Sequence, residues 1–547
     1  MPPLFHLPFS LLPFQQDGVV QAYVQDATIA AWDVGMGKSV LSLVSACLLF
    51  EDDKVDVMVL VCEQGKVGEW EADCREFTDL RTLVYRGTAE RRRKMAQAVA
   101  SGEPVKVKRG MVVEAPQVLI GTYETFRNDL MQKVPGKTSS GKPTTVLAPH
   151  FLAEALAGKR VMFVYDEATK LGNRGSGVHK AQALAISHVR KTGGQAKVLA
   201  LTATPIERGP ENFYNLGRLM CPERMGTVKS FEDEHVRSWD QFGGYSTFKN
   251  LTPETTYEPW VTPLTEKMGQ VLLRKRKTDD DVREQFPEST ERFIHVPLGD
   301  KQRDFYDTVA ETYAPADDDP HADRKGQVLV GVLRMIAGHP EALLHSGGQI
   351  AREIVSIVGE EGIRAVGSAK EEALAQRLRT ICLDQGDQAV VFTFFGPTMI
   401  PLLARRLTAE GLVVATNYSS MDDADRKRSL DAFRAGDAQI FLSSDAGARG
   451  INLPQASYCI EYESAVTSAV RTQRHGRVDR INSKDLGREH VFFQTFVAKD
   501  TIEEGLAKKA LKRNEWSDML LGDEDAGGTF VSAEDRKILL RVSRDRA

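Results

Sequence analysis

Short unbroken apolar runs alternate with amphipathic stretches along the first two hundred or so residues. VDVMVLVC (Val55–Cys62), QVLIGTYETF (Gln117–Phe126), VMFVY (Val161–Tyr165) and KVLALTATP (Lys197–Pro205) are continuous and rich in β-branched residues. Such runs predict strands covered on both faces, as in parallel sheets. The stretches Gly68–Phe77 and Ala89–Ala100 repeat apolar residues at helical spacing, so the chain is expected to build βαβ units. GEPVKVKRGMVVEAP (Gly102–Pro116) predicts a hairpin inserted between a helix and a strand. KVPGKTSSGKPTTVLAP (Lys133–Pro149) is punctuated by Gly, Pro and Ser and predicts a surface loop. Its lysines suit either solvent or a phosphate backbone. From Arg224 to about Ala337 the pattern weakens into charged, helical sequence with an acidic insert at Ala316–Asp323. Strand runs then return at Gln388–Phe395, Leu412–Ser419, Ala438–Asp445, Ser457–Glu463 and His490–Val497. A second α/β sheet is expected there.

Composition narrows the class without naming a function. The 547 residues suffice for about three to four domain-sized units. Lys and Arg number 71 against 76 Asp and Glu, net −5, so any nucleic-acid surface has to be a local patch. The six cysteines contain no C-x-x-C pair, which argues against a structural zinc site or a disulfide framework. The opening MPPLFHLPFSLLPF is broken by four prolines and lacks a basic lead, a poor signal peptide. No apolar run approaches the ~18 residues of a membrane span. The expectation is a cytoplasmic protein, of a bacterium or a virus-infected host cell.

Candidate chemistry begins at AAWDVGMGKS (Ala30–Ser39), between two apolar stretches. Gly35, Met36 and Gly37 followed by Lys38 and Ser39 have the layout in which backbone N–H groups cradle phosphates while the lysine and hydroxyl reach the terminal phosphates and Mg2+. The full pattern wants glycine at Trp32, so the loop alone also fits a glycine turn before a helix. A buried strand, Val161–Tyr165, delivers Asp166 and Glu167 at its carboxyl end, where ligands bind in open α/β sheets. There Asp166 can hold magnesium and Glu167 can orient or deprotonate water; a helix cap fits the same pair. Thr202 and Thr204 end the next strand beside that edge. In RTQRHGRVDRI (Arg471–Ile481), Gln473, Arg477 and Arg480 are spaced Q-x-x-x-R-x-x-R. On a helix, the two arginines would share one face. A solvated basic helix is the alternative.

Gly-x-Gly-Lys-Ser, Asp-Glu-Ala-Thr and Leu-Thr-Ala-Thr-Pro-Ile, in that order, resemble the motor motifs of superfamily-2 helicases, and among them the Swi/Snf-type DNA translocases. LLPFQQDGV (Leu11–Val19) resembles the family's adenine-recognition motif, with Gln15 as the base-reading amide. VLVCEQGKVGEWEADCREF resembles motif Ia, QVLIGTYETF motif Ib, and LLRKRKTDD the basic run closing the first lobe. LRMIAGHPEALL (Leu333–Leu344) resembles the inter-lobe helix, and SSDAGARGINL (Ser443–Leu453), which includes Gly450, resembles motif V. The likeness runs from about Leu11 to Leu511. Departures are Trp32 before the loop, Glu63 for the motif Ia proline, Thr169 for the usual motif II histidine, and Asn482 with Ser483 after motif VI.

The resemblance implies two tandem RecA-like parallel-sheet lobes, 1–243 and 346–511, joined by a helical connector (244–345) and followed by a charged tail (512–547). It implies ATP and Mg2+ as cofactors, held by Gln15, Gly35–Ser39 and Gly450, with Ser39 and Asp166 on the metal. Lys38, Asp166, Glu167, Arg477 and Arg480 are the expected catalytic residues; Thr202, Thr204 and Gln473 are the expected coupling residues. Lys66, Thr122, Tyr123, Ser443 and Ser444 are expected on DNA, through phosphate and sugar, so that binding is salt-sensitive and independent of sequence. Tracking along duplex DNA as a monomer is the implied activity; an RNA helicase and an ATP-gated clamp with little turnover are the alternatives. Lys275–Lys277 suits either DNA or a solvated helix end.

Overall fold

In a computed structural model the chain divides into two compact units, with the boundary between Arg283 and Glu284. The described residues are 4–106, 112–137, 141–206, 209–239, 245–269, 271–316, 322–445, 447, 451–511 and 520. Gly450 and the expected tail, apart from Leu520, lie outside them.

The first unit is built on a seven-stranded sheet. Its strands are β1 (Ala27–Trp32), β2 (Val57–Cys62), β3 (Thr82–Val84), β4 (Val118–Thr122), β5 (Arg160–Asp166), β6 (Gln195–Thr202) and β7 (Leu272–Lys275), in the order β7-β1-β6-β5-β2-β4-β3. Every pairing is parallel. β1, β2 and β4 are buried throughout, as their uninterrupted apolar sequence requires. In register, Asp166 at the end of β5 stands beside Leu201, and Thr202 stands beside Ala31, so motif-bearing strand ends collect at one edge.

Trp32 is accommodated by the helix before it, α1 (Pro13–Val24). Its indole is fully buried, packs edge-on against Phe14 at 5.3 Å between ring centres, and lies where a Cβ on Gly18 would come within 2.5 Å. The bulky residue before the phosphate loop therefore belongs to the core.

The second unit holds a six-stranded sheet of β8 (Glu288–Val296), β9 (Ala389–Thr393), β10 (Val414–Asn417), β11 (Ile440–Ser444), β12 (Tyr458–Glu461) and β13 (His490–Ala498). The order is β8-β13-β12-β9-β11-β10, again all parallel. The two sheets bear out the expected α/β class of tandem parallel-sheet lobes.

The stretch 244–345 does not form a connector of its own. Leu272–Lys275 is the edge strand of the first sheet and Glu288–Val296 the edge strand of the second, so the division falls near 284. Both are edge strands carrying charged residues, which hides them among helical patterns. A further difference lies at Lys133–Pro149: Met131–Lys137 and Pro143–Pro149 pair as an antiparallel ribbon where a loop was expected. Within the expected hairpin at Gly102–Pro116, Val105–Lys106 pairs antiparallel with Val112–Val113. Among the described residues no helix is long and apolar enough to cross a membrane.

Candidate functional site

The phosphate loop joins β1 to the helix α2 (Lys38–Glu51). Gly35 and Gly37 have φ of 88° and 85°, a region that glycine enters without the steric cost a Cβ brings. At Gly37 a Cβ would also fall 2.6 Å from the Gln15 side-chain nitrogen. The loop is thereby kept open to backbone approach, and the first N–H groups of α2 follow it, which suits a polyphosphate. Gln15 is engaged at both ends of its amide. Nε2 donates to the Met36 carbonyl at 3.0 Å, and Oε1 accepts from the Leu12 N–H at 3.0 Å. In this structure Gln15 braces the loop.

The Lys38 ammonium donates to the carbonyls of Trp32 (2.7 Å) and Asp33 (2.9 Å). Removal from water pushes its pKa down to about 8, against the opposing pull of the Glu167, Asp33 and Asp166 carboxylates. The unfolded chain keeps this proton up to the ordinary lysine value, so between about 8 and about 10.4 the unfolded state binds more protons and this group's contribution to stability rises with pH. Phosphate binding needs the charged form. Titration calorimetry is expected to show nucleotide affinity falling as pH rises above about 8, by up to tenfold per unit, with proton uptake on binding; Lys38→Ala should lose that dependence.

Two side chains hold Asp166: Trp70, which the sequence did not single out, and Tyr123, which it placed on DNA. Trp70, on the helix Val67–Phe77, donates from Nε1 to Asp166 Oδ2 at 2.9 Å, and the Tyr123 hydroxyl donates to the Asp166 carbonyl at 2.7 Å. Val67, Trp70 and Cys74 form the buried stripe of that helix. Helical spacing therefore placed the indole in the core, where its N–H requires an acceptor. Asp166 Oδ1 accepts from the Glu167 N–H at 3.1 Å. Glu167 itself has φ 51° and ψ 55°. The other described non-glycine residues with positive φ are Asp53, Asn250 and Asp500, residue types that tolerate this region far better than Glu. A glutamate held there costs about 1–3 kcal/mol, which the surrounding structure has to offset.

The residues expected on DNA divide differently. Tyr123 is fully buried and Thr122 caps the following helix, α3 (Tyr123–Leu130), by accepting from Thr125 N–H. Tyr123 therefore braces the backbone of motif II at Asp166 and offers no surface to a nucleic acid. Lys66 pairs with Glu69 at 2.9 Å. Glu63 forms an ion pair with Lys170 at 2.7 Å, so this departure from the family pattern ties the end of β2 to the segment after Glu167. Thr202 is buried and accepts from the Thr204 N–H at 3.1 Å. In the basic run, Lys275 pairs with Asp281 and Arg276 with Asp279. Arg274 bonds the Ala31 carbonyl and Asp33, bracing the strand that feeds the loop.

In the second unit the helix α4 (Ser468–His475) ends at Gly476. Arg477 lies in the turn beyond it, and Arg480 is extended (φ −138°, ψ 157°) before a 3-10 helix over Ile481–Leu486. The expected shared helix face is therefore corrected: a glycine cap terminates the helix between Gln473 and both arginines. Arg477 is 7% exposed, and its carbonyl accepts from the Leu453 N–H at 2.8 Å, joining it to the end of the motif V segment. Ser443 and Ser444 are buried. Ser443 donates to the Asn417 carbonyl and Ser444 accepts from the Gly447 N–H, so their hydroxyls fasten the segment within its unit and do not reach a DNA strand.

Arg474, between Gln473 and Arg477, is the organising residue of this segment. It is buried, grips Asp445 through Nε (2.6 Å) and Nη2 (3.0 Å), and bonds Glu461 Oε2 at 3.2 Å. Burial alone would raise the pKa of Glu461, but Arg474 and His475 hold it below the usual carboxylate value. Removing the guanidinium strands two carboxylates, so Arg474→Ala is expected to destabilise the second unit by about 3–5 kcal/mol, read by chemical denaturation. Arg474→Lys should not restore it, since lysine lacks the two-pronged fork.

A SNF2-related domain matches residues 19–338, and a helicase conserved C-terminal domain matches 369–482. The CHD3-type chromatin-remodeling factor PICKLE of Arabidopsis thaliana is 22% identical over 524 residues, 91% of this chain and 33% of that protein. The ISWI chromatin-remodeling complex ATPase CHR11, also of Arabidopsis thaliana, is 22% identical over 494 residues, 89% of this chain and 40% of that protein. The Sulfolobus solfataricus SWI2/SNF2 ATPase core, solved in complex with dsDNA, covers 100% of this chain and 97% of that one at 18% identity and a TM-score of 0.39. The chain spans about a third of the length of the curated relatives it matches. The expected cytoplasmic location in a bacterium or virus-infected cell is overturned by these relatives, which are named as chromatin-remodelling proteins of eukaryotes. With the SNF2-related model covering more than half its length and the helicase C-terminal model following in order, this chain belongs to the SNF2 family.

Proposed function

We propose that the chain is an ATP hydrolase that uses turnover to translocate along duplex DNA. The observation that carries this reading is the convergence, at one sheet edge, of a partly buried lysine, a braced aspartate and a strained glutamate. The Glu167 and Asp166 carboxylates lie close enough to Lys38 to act on its ammonium. Family membership supplies the reaction class.

The donor set fits a magnesium nucleotide. Positive-φ glycines leave room for phosphate oxygens beside the backbone, and the buried Asp166 carboxylate is oriented by Trp70. Ser39 and Asp166 would hold Mg2+, which neutralises phosphate charge when bound. Lys38 binds the β- and γ-phosphates, the loop N–H groups orient them, and Glu167 accepts the proton of the attacking water. Arg477 and Arg480 supply positive charge to the transition state, held in place by the Arg474 cluster, and Gln473 couples that segment to the rest of the motor. Thr202 and Thr204 transmit the state of the motif II edge to the adjoining strand.

Translocation on duplex DNA is tested by ATP-dependent displacement of a third strand from a triplex, set beside displacement of one strand from a forked duplex. Triplex displacement without duplex unwinding is expected. Strand separation without triplex displacement would replace the translocase reading with a helicase.

A further inference from the structure

The insertion between α3 and β5 is a feature of the first unit that the motor motifs leave unused. Met131–Lys137 pairs antiparallel with Pro143–Pro149, placing Lys133 opposite Leu147, Val134 opposite Val146 and Lys137 opposite Pro143. Its root is fixed: Gln132 Nε2 donates to the Pro149 carbonyl at 2.8 Å, and the His150 ring bonds the Asn128 carbonyl of α3 at 3.0 Å. Beyond the root the side chains are mostly exposed. Nineteen residues, 131–149, contain Lys133, Lys137 and Lys142 and no Asp or Glu, in a chain of net charge −5. Lys133 and Lys137 are an even number of residues apart, so they project from the same face, about 13 Å from each other.

We propose that this ribbon is a contact for the phosphate backbone of duplex DNA, an arm separate from the motor motifs. The inference rests on the DNA reading above. A local surface of one sign in an acidic chain is the electrostatic footprint of a polyanion partner. A two-stranded ribbon is also one of the two elements that the major groove of DNA admits. Pairing with a strand of another protein or a second copy is disfavoured by Pro135, Pro143 and Pro149, which lack the N–H that a third strand would need. Phosphate contacts carry no sequence information, so the arm adds affinity and salt sensitivity without base preference.

The test is fluorescence anisotropy of the whole chain on a duplex oligonucleotide across a salt series, comparing the parent with Lys133→Glu/Lys137→Glu/Lys142→Glu and with the matching Lys→Arg triple variant. The Glu variant is expected to lower the slope of log affinity against log salt by about 2–3 and to weaken binding at least about tenfold near 0.1 M salt. Its ATPase rate without DNA should equal the parent's, and the Arg variant should keep the parent's slope. An unchanged slope and affinity in the Glu variant overturns the ribbon assignment and leaves the motor reading standing. A parent that binds no duplex at low salt overturns both. Binding of poly-glutamate in preference to duplex, lost in the Glu variant, assigns the ribbon to an acidic protein and overturns the proposal.

Discussion

Replacing Glu167 with Gln is expected to lower ATP turnover by about 10²- to 10⁴-fold, the usual contribution of a positioned general base, with nucleotide affinity unchanged. Glutamine keeps the side chain's size and one hydrogen-bonding oxygen but cannot take a proton. Lys38, Ser39 and the loop glycines are untouched, so binding persists while chemistry stops. Backbone conformation sharpens the expectation: at φ 51° the residue is held in an unfavourable region by β5 before it and the short helix Ala168–Leu171 after it. Parent and variant share that strain, so stability should not change. Single-turnover ATP hydrolysis and nucleotide binding, measured side by side, check the separation. Equal turnover in Glu167→Gln and the parent would instead point to a clamp whose nucleotide serves as a ligand.

Arg477→Ala and Arg480→Ala are each expected to reduce turnover by about 10³-fold or more, since an arginine finger contributes about 10³ to 10⁵. They should not be interchangeable. Arg477 lies in the turn after Gly476 and is almost wholly buried, whereas Arg480 begins a separate 3-10 helix. Arg477→Lys should fail nearly as badly as Arg477→Ala, because a lysine cannot reproduce the planar fork. The double variant should be little worse than the poorer single one if both act in the same step. Circular dichroism distinguishes this loss from the unfolding expected of Arg474→Ala.

The buried strands and the phosphate loop were legible because their sequences admit few readings. Val57–Cys62 and Ala389–Thr393 are apolar on both faces, which only a covered parallel strand uses. Two of the edge strands were not legible. Leu272–Lys275 and Glu288–Val296 each have an open side and carry charges, and so resembled helix in a charged region. The ribbon at Met131–Pro149 was masked by the residues that shape it: Gly136 admits Val146 against the backbone and Gly141 turns with φ 80°.

Within the site, Lys38, Asp166 and Glu167 followed from motif spacing. Their supports, Trp70, Tyr123 and Arg474, did not, because a hydrogen-bond partner distant in sequence leaves no local pattern. The placement of Tyr123, Ser443 and Ser444 on DNA failed for a related reason. A polar side chain at a strand end reads equally as surface or as a fastener, and burial decides between them. Gly476 did carry a readable stop signal for its helix, which the arginine spacing obscured.

The most direct measurement is the steady-state ATPase rate of the whole chain without nucleic acid, then with single-stranded DNA, duplex DNA and RNA, alongside Glu167→Gln. Strong stimulation by duplex DNA, weak response to RNA and a flat variant are the expected result. A parent rate that no nucleic acid raises above that of Glu167→Gln would contradict the motor.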